Sequence, residues 1–310
     1  LLVGGTLMVR GASAIASGAG ISPMVVGLTV VAFGTSSPEL VVNVLAAMQG
    51  QSSLAFGNVV GSNIANLGLV LGVAGLIAPI AMQGQLVVRE LPLLVLATSA
   101  LVVLALDVPL RGEPALVDRA DALILLLLFC IFLYVSARDV LRQRKDVLLQ
   151  GVAQLPVPTR QVIQPKDWLY TTLGVLGLAI GGHLTILNGA ELADLLGVSK
   201  TLIGVAVIAV GTSLPELVTS IIAALRREPD LSVGNVVGSK LFNGLFVLPA
   251  GALVAPVVIP AGGVIDLGVS LLFALALFPV FIIGNSLLGR TASSILLCGY
   301  LLYIGFRIAA

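Results

Sequence analysis

The chain has 310 residues, of which 58% are hydrophobic and 10% are charged, and its net charge at neutral pH is +1. A soluble protein of this length cannot bury so much apolar surface in one core, so the composition predicts a polytopic membrane protein. The charge gives no indication of nucleic-acid binding, because no basic cluster is interleaved with aromatic residues. Cys130 and Cys298 both lie in apolar segments, which argues against a structural disulfide framework.

Apolar segments of about 20 residues, the length that a helix needs to cross a bilayer, recur along the whole chain. We predict ten membrane-spanning helices and an all-α polytopic fold. The first residue is Leu and lies inside a predicted span, so we expect the natural N-terminus to lie further upstream. The predicted spans lie at about 1–19, 23–48, 54–79, 86–106, 118–137, 168–194, 200–225, 231–259, 264–285 and 291–309.

One sizeable polar segment separates the fifth span from the sixth. This connection, 138–167, contains Arg142, Arg144 and Lys145 among other basic residues. Cytoplasmic loops of membrane proteins carry an excess of Lys and Arg, so we predict that the connection lies in the cytoplasm. With ten spans, both termini then face the outside. The chain is thus predicted to divide into a first five-helix unit (1–137), the connecting loop and a second five-helix unit (168–310).

The two predicted units are related by an internal repeat. Residues 20–66 overlay residues 197–243 without a gap, and about half of the aligned positions are identical. Glu39 and Glu216 occupy equivalent positions, 177 residues apart (216 minus 39). Because each unit has five spans, an odd number, the second copy must enter the bilayer upside down relative to the first. Such inverted repeats are typical of secondary transporters, in which discontinuous helices meet near the middle of the membrane.

The second and seventh spans contain the same unusual motif, GTSSPEL at 34–40 and GTSLPEL at 211–217. A proline inside a helix removes an amide donor and clashes with the carbonyl four residues earlier, so Pro38 and Pro215 predict disturbed helices. Each motif gathers one carboxylate, hydroxyls and freed carbonyls within about one turn. These are hard oxygen ligands, which suit Ca²⁺ or Na⁺. A carboxylate at this depth is costly, which indicates a function.

The third and eighth spans share a second motif, GNVVGS, that extends into a polar stripe. Its side chains recur at four-residue steps and therefore lie on one helix face. We interpret the Ser and Asn positions as further ligands rather than simple interhelical hydrogen bonds, and the paired glycines as close-packing positions. We expect Lys240, beside the serine, to point away from bound cations. The stripes consist of Asn58, Ser62 and Asn66 in the first half and of Asn235, Ser239 and Asn243 in the second.

The charge of the predicted site has a direct consequence for its ligands. Two carboxylates carry a charge of −2, which matches a single Ca²⁺. Several Na⁺ ions could take its place by also using hydroxyl, amide and carbonyl oxygens. Both kinds of cation therefore fit the same cluster but not at the same time, as antiport requires. Exchange of three Na⁺ for one Ca²⁺ would move one net charge in each cycle.

The paired motifs also carry a resemblance to a known family. GTSSPEL and GTSLPEL, each followed by GNVVGS, resemble the two α-repeats of the sodium/calcium exchanger family of cation/calcium antiporters, and the similarity covers essentially the whole chain. Members of that family exchange Na⁺ for Ca²⁺ by alternating access, at four cation positions. The resemblance implies Ca²⁺ ligands at Thr35, Glu39, Thr212 and Glu216. It implies Na⁺ positions or additional ligands at the carbonyls of Ala32 and Ala209 and at Ser36, Ser62, Asn66, Ser213, Ser239 and Asn243.

Two features separate this chain from other branches of the superfamily. Potassium-dependent relatives carry Asp where this chain has Asn243, so the resemblance implies transport without K⁺. Ca²⁺/H⁺ antiporters carry an acid in the helix where this chain has Gly61 and Gly238, which favours Na⁺ over H⁺ as the coupling ion. Ca²⁺/H⁺ antiport and, less favoured, a Ca²⁺-permeable channel are the alternatives.

An enzymatic function is disfavoured by the chemistry. Ser36 or Ser213 would need a nearby base to act as a nucleophile, and neither motif supplies His or Lys. We therefore expect no enzyme activity and no cofactor. The expected partners are the transported Ca²⁺ and Na⁺ and the lipid bilayer, with neither nucleic acid nor an obligate protein partner. The compact form, without large cytoplasmic domains, predicts a multi-pass protein of a prokaryotic inner or plasma membrane.

Overall fold

The structure, a computed structural model, describes residues 1–81, 89–112, 114–151, 163–195, 209–283 and 287–309. Within these ranges the chain is mostly helical. The helices of the first half are α1 (Leu2–Ala19), α2 (Pro23–Val26), α3 (Ala32–Thr35), α4 (Ser37–Met48), α5 (Ser52–Ala65), α6 (Leu71–Ile77), α7 (Leu91–Leu104), α8 (Asp107–Arg111) and α9 (Arg119–Gly151). Those of the second half are α10 (Pro165–Leu195), α11 (Ala209–Thr212), α12 (Leu214–Leu225), α13 (Pro229–Phe242), α14 (Leu248–Val254), α15 (Gly263–Ile283) and α16 (Arg290–Ala309).

Short π-helical segments join some of these helices end to end. Gly27–Val31 joins α2 to α3, Asn66–Val70 joins α5 to α6, and Asn243–Val247 joins α13 to α14. A π turn holds an extra residue and locally disturbs the hydrogen-bond ladder of the helix, and such turns occur frequently at functional sites. Two of the segments begin at an asparagine of the predicted polar stripes.

Within the described residues, helices lie where the spans were predicted, and two of them differ clearly at their ends. Helix α9 continues to Gly151 instead of ending near residue 137, so the first part of the predicted connecting loop is helical. Helix α10 begins at Pro165, where a proline is favoured because the first helical amides need no partner within the helix. Residues 200–208, predicted as the start of the seventh span, and 152–162 of the loop lie outside the described residues.

In the described part of the chain, five helical stretches are long and apolar enough to cross a membrane. The broken helix formed by Pro23–Thr35 and Ser37–Met48, bent by 44°, makes a sixth candidate. Other helices bury most of α5–α6 and α13–α14, whereas α16 is mostly exposed. The fold therefore has two buried helices at its centre and apolar helices at its perimeter. The five stretches are Ser52–Ile77, Arg119–Arg138, Pro229–Val254, Gly263–Val280 and Arg290–Ala309.

The internal repeat is visible in the helix boundaries. Helices α4, α5 and α6 begin and end 177 residues before α12, α13 and α14, respectively. The π segments Asn66–Val70 and Asn243–Val247 have the same separation. Similar sequence has therefore produced the same local structure in both halves, including the irregular turns.

Two short antiparallel strand pairs connect the halves. Strand β1 (Ile80–Ala81) pairs with β4 (Leu287–Leu288), and β2 (Leu116–Val117) pairs with β3 (Val257–Val258). Strands β1 and β3 follow α6 and α14 at equivalent positions of the repeat. Each pairs with the strand that precedes the last long helix of the opposite half. The exchange of strands between the halves is therefore reciprocal.

Glycines allow several helices to approach closely. Helix α13 crosses α2 and the π segment that follows it, and a Cβ atom on Gly234 would lie 2.5 Å from the carbonyl oxygen of Met24 and 3.1 Å from Cα of Gly27. A Cβ atom on Gly238 would lie 2.6 Å from the carbonyl oxygen of Leu28. These spaces admit no side chain, so the backbones touch, as at small-residue contacts between membrane helices. The close-packing role predicted for Gly234 and Gly238 is confirmed. The same prediction is wrong for Gly57, which is exposed and where a Cβ atom would have no described atom within 4 Å.

Candidate cation site

Each half contains a helix that breaks at the serine of its GTS motif. Ser36, between α3 and α4, leaves helical geometry with φ −87° and ψ 4°. Ser213 separates α11 from α12 with nearly the same angles, φ −84° and ψ 2°. Pro38 and Pro215 lie in the first turn of the helix that follows, where proline is tolerated. The predicted disturbance is confirmed, but the helix ends before the proline instead of bending around it.

The two acids of the repeated motif lie at the starts of helices. Glu39 is in the first turn of α4 and Glu216 is in the first turn of α12. Both side chains are fully buried, and the hydrogen bond from Ser36 to Glu216 joins the two helix breaks beside which they lie. The positive end of the helix dipole favours a carboxylate in this position. Burial within the protein disfavours the charged form, so each carboxylate needs a compensating partner.

Hydrogen bonds between side chains join the two halves at this site. In each pair, a residue of one GTS motif contacts a polar residue of the opposite half. Ser36 Oγ donates to Glu216 Oε1 at 3.0 Å. Thr35 Oγ1 lies 3.3 Å from Ser239 Oγ, and Thr212 Oγ1 lies 3.2 Å from Ser62 Oγ. These last two pairs are equivalent under the repeat, so the motif of each half meets the polar stripe of the other.

Asparagines of the two stripes hold the backbone of the acidic helices. Asn58 Nδ2 donates to the carbonyl oxygen of Glu39, and Asn235 Nδ2 donates to that of Glu216, both at 3.3 Å. Asn235 Oδ1 also accepts the hydroxyl of Thr35 at 3.0 Å. The two amides thus position the acids through the main chain. The four-residue spacing places these asparagines in the stripes but does not predict this role.

Several oxygens at the site are buried without a hydrogen-bond partner. Within the described residues these include both carboxylate oxygens of Glu39, Oε2 of Glu216 and Oδ1 of Asn58. An unsatisfied buried acceptor costs about 1–3 kcal/mol, and a charged one costs more. A dehydrated cation satisfies such acceptors. The donor set consists of oxygens with two carboxylates among them, which fits Ca²⁺ or Na⁺ as a bound substrate.

The predicted backbone ligands flank the two helix breaks. The carbonyl oxygen of Ala32 accepts the amide of Ser36 at 3.0 Å and lies 3.4 Å from the hydroxyl of Thr35. Ala209 is the first residue of α11, and its side chain lies outside the described residues. Ser213 is almost fully buried at the second break. The structure thus brings the predicted carbonyl and hydroxyl positions to the same two breaks as the acids.

The last asparagine of each polar stripe differs from the residues before it in its hydrogen bonding. Asn66 and Asn243 are fully buried where the π segments begin, and within the described residues their side chains make no hydrogen bond.

Lys240 is also buried, and its Nζ donates to the carbonyl oxygen of Ser270 in α15 at 2.7 Å. The prediction that Lys240 points away from the acids is confirmed, because α15 is a helix of the perimeter.

Two further polar residues of the site, which the motifs do not include, lie one turn beyond the acids. Asn43 Nδ2 donates to the carbonyl oxygen of Ala55 at 3.0 Å. Ser220 Oγ accepts from Asn235 Nδ2 at 3.0 Å. Both side chains are fully buried. Both lie four residues after an acid and occupy equivalent positions of the repeat, and this pattern could have identified them in the sequence.

A mostly helical protein with apolar spans, a broken helix in each half and buried acids where the halves meet belongs to the class of membrane transporters. The sequence model of the family described as sodium/calcium exchanger protein matches residues 1–138 and 166–309. The chain therefore belongs to the sodium/calcium exchanger family. It is a transporter rather than an enzyme, and it is a multi-pass protein of the cell membrane.

Similar proteins come from both bacteria and archaea. The inner membrane protein YrbG of Escherichia coli (strain K12) is 36% identical over 238 residues, which cover 76% of this chain and 71% of YrbG. The sodium/calcium exchanger MaX1 of Methanosarcina acetivorans is 30% identical over 281 residues, covering 83% and 80%. A solved structure of the sodium-calcium exchanger NCX_Mj superposes with a TM-score of 0.81 at 27% identity, covering 98% of this chain and 94% of NCX_Mj.

Proposed function

We propose that this protein is a secondary antiporter that exchanges Na⁺ for Ca²⁺ across the membrane by alternating access. The observation that carries the proposal is the group of oxygens of Glu39, Glu216 and Asn58 that are buried and have no hydrogen-bond partner among the described residues. Two carboxylates match the charge of one Ca²⁺, and the surrounding hydroxyls supply further oxygen ligands for Na⁺. The two ions then compete for one cluster, which couples their movements.

The proposal assigns ligands to each ion. Ca²⁺ is bound where the two broken helices meet, and Na⁺ ions occupy positions that share these ligands and extend toward the polar stripes. Hydrogen bonds across the halves support this assignment because they bring the motifs together. The Ca²⁺ ligands are Thr35, Glu39, Thr212 and Glu216. The Na⁺ positions or additional ligands are Ala32, Ser36, Ser62, Asn66, Ala209, Ser213, Ser239 and Asn243.

The proposal also includes ten spans arranged as two inverted repeats, 1–137 and 168–310, joined by a cytoplasmic connection. The spans are α1, α2–α4, α5–α6, α7, α9, α10, α11–α12, α13–α14, α15 and α16. Equal helix boundaries in the two halves support the repeat, and the exchanged strand pairs support a two-fold relation between them. An inverted pair of units offers equivalent routes to the site from both sides of the membrane, which is what alternating access needs.

The comparisons support the choice of ions. MaX1 is named a sodium/calcium exchanger. NCX_Mj was solved after soaking with Na⁺ and Ca²⁺ and also after soaking with Na⁺ and Sr²⁺. We propose Na⁺ and Ca²⁺ as the substrates of this chain because it shares the fold of NCX_Mj over nearly its whole length. Its buried oxygens also have the chemistry to bind both ions.

The test is Ca²⁺ uptake into proteoliposomes that contain the purified chain. Uptake is compared between vesicles loaded with Na⁺ and vesicles loaded with choline, at equal external Ca²⁺. We expect rapid uptake only against the outward Na⁺ gradient, since an exchanger stops without its counter-ion. Equal uptake in both preparations would indicate a channel and overturn the proposal.

Two further conditions of the same assay address the other coupling ions. An outward H⁺ gradient in vesicles without Na⁺ should drive no uptake, because Gly61 and Gly238 stand where Ca²⁺/H⁺ antiporters carry an acid. Removal of K⁺ from both sides should leave Na⁺-driven uptake unchanged, because Asn243 carries no charge. Uptake driven by H⁺ alone would show that H⁺, and not Na⁺, is the coupling ion.

A further inference from the structure

The perimeter helices α15 and α16 line an open apolar cavity of about 420 Å³ that the cation site does not use. Its volume lies within the range of ordinary ligand pockets. Both helices are long and apolar enough to cross the membrane, and α16 is mostly exposed, so the cavity opens toward the bilayer. Its walls are hydrocarbon along most of their length. The lining residues include Leu272, Phe273 and Ala276 of α15 and Ile295, Gly299 and Phe306 of α16.

The length of the cavity corresponds to one leaflet of a bilayer. Its lining on α15 extends from Ile265 to Ala276, eleven residue steps, or roughly 16 Å at the rise of an α-helix. The hydrocarbon core of a bilayer is about 30 Å thick, so one leaflet accounts for about 15 Å. Ile265 lies near the start of α15, at one edge of the membrane. A lipid chain that begins at that edge and ends near the middle of the bilayer therefore has the length of this groove.

The edge end of the groove is polar and carries a cation. Tyr303, which also lines the cavity, donates its hydroxyl to Asp266 Oδ1 at 2.9 Å. Arg307 Nε lies 3.3 Å from the same oxygen, and about a third of the Arg307 side chain is exposed. A guanidinium carries five N–H donors, more than one carboxylate oxygen can accept. Asp266 thus orients the guanidinium, and its outer face is suited to bidentate contact with a phosphate.

We propose that this groove is a phospholipid site, in which one acyl chain of a membrane glycerophospholipid fills the cavity and Arg307 binds the phosphate. Three observations support this occupant: the apolar lining, the length of one leaflet and a partly exposed cation at the interfacial end. A glycerophospholipid combines the matching parts in the same order, with an anion at the surface and a hydrocarbon chain below it. The site does not depend on the proposed ion exchange.

The test uses the full chain in proteoliposomes that contain a phospholipid with a photoreactive diazirine on one acyl chain. After illumination, mass spectrometry locates the adducts. Gly299→Phe blocks the groove, because a Cβ atom there already lies 3.4 Å from Phe273 Cζ. The control is Gly305→Phe on the same helix, which does not line the cavity and whose Cβ would have no described atom within 4 Å. Ala276→Phe blocks the groove from the other helix and serves if Gly299→Phe does not fold.

We expect adducts on α15 and α16 of the wild type and of Gly305→Phe, and roughly tenfold fewer in the blocked variants, the loss expected when about two methylenes lose their contacts. A diacylglycerol probe with the same diazirine but no phosphate tests the head group. The wild type should favour the phospholipid probe, and Arg307→Gln should remove that preference. Unchanged labelling after blocking, or equal labelling by both probes in the wild type, would overturn the proposal. So would crosslinks between two copies in place of lipid adducts.

Discussion

Ser36 donates a hydrogen bond to Glu216 Oε1 at 3.0 Å, although the two residues are 180 positions apart in the chain. Ser36 is the break in the first broken helix, and Glu216 lies in the first turn after the break in the second. The bond therefore connects the two irregular points of the fold directly. It uses one oxygen of the carboxylate, and Oε2 has no hydrogen-bond partner among the described residues. The serine orients the acid while an oxygen stays open for a cation.

The first prediction concerns this serine. Ser36→Ala removes the hydrogen bond to Glu216, so the carboxylate loses its orientation and its bond to a donor. A hydrogen bond to a charged group contributes about 1.5–3 kcal/mol, so the Ca²⁺ concentration for half-maximal uptake should rise roughly tenfold to a hundredfold. Proteoliposome uptake over a range of Ca²⁺ concentrations measures the shift.

The neighbouring serine supplies a matched control for that experiment. Ser37 donates to the carbonyl oxygen of Phe33 on a more exposed face of the helix. Ser37→Ala removes an equal number of atoms one position away and should leave the Ca²⁺ dependence unchanged. Equal shifts in the two variants would mean that the effect comes from the helix and not from the bond to Glu216.

The second prediction concerns the acids. Glu39→Gln and Glu216→Gln each remove one negative charge from a buried site that must neutralise a divalent cation, so Ca²⁺ uptake should fall by about a hundredfold or more. Both variants should still fold, because glutamine keeps the shape of the side chain and lowers the cost of burial. Glu191→Gln, at an exposed position of α10, is the control and should transport normally. Full transport by either acid variant would disprove the proposed site.

The third prediction concerns packing. A methyl group at Gly234 would lie 2.5 Å from the carbonyl oxygen of Met24, so Gly234→Ala forces α13 away from α2. Overpacking of this kind costs about 1–3 kcal/mol, which should lower the midpoint of thermal denaturation in detergent. Gly268→Ala in α15 is the control, since a Cβ there has no described atom within 4 Å. A Gly234→Ala protein as stable as the control would contradict the observed packing.

The fourth prediction concerns Lys240. Its buried ammonium contacts a backbone carbonyl of α15 and points away from the acids, so its charge is not a part of the proposed ion site. Replacement of a buried ionic group by an apolar side chain of similar volume is often neutral or stabilising. Lys240→Met should therefore keep Na⁺-driven Ca²⁺ uptake and denature at an equal or higher temperature. A large change in Ca²⁺ affinity would show that the ammonium acts on the site.

Local features of the fold could be predicted from the sequence because they depend on neighbouring residues. Apolar segments of sufficient length gave most of the helix boundaries, and the two prolines gave the positions of the breaks within two residues. The end of α9 was not predicted correctly. Its polar residues after 137 resembled a loop, but Lys, Arg, Gln and Leu are good helix formers and continue the helix to Gly151.

The hydrogen-bond partners of the Asn58 and Asn235 side chains could not be predicted from sequence spacing. Four-residue steps put Asn58 and Asn235 on the faces of their helices, but spacing along one helix does not reveal which backbone a side chain meets. In the fold both amides bind the main chain of the acidic helices. The hydroxyl of Thr35 satisfies Asn235 Oδ1, whereas Oδ1 of Asn58 has no partner among the described residues. The repeat in the sequence is symmetric at these positions, and the contacts are not.

The sequence by itself determined that the chain lies in a membrane, that it contains a duplicated unit and that each copy carries an acid beside a helix break. These properties follow from composition and local order, since hydrophobicity, helix propensity and proline geometry act over a few residues. Only the tertiary structure decided which groups from the two copies touch, because the pairs of Ser36 with Glu216 and of Thr212 with Ser62 are set by how the helices cross. Helix crossing depends on close contacts such as that of Gly234 with Gly27, which arise between segments far apart in the chain.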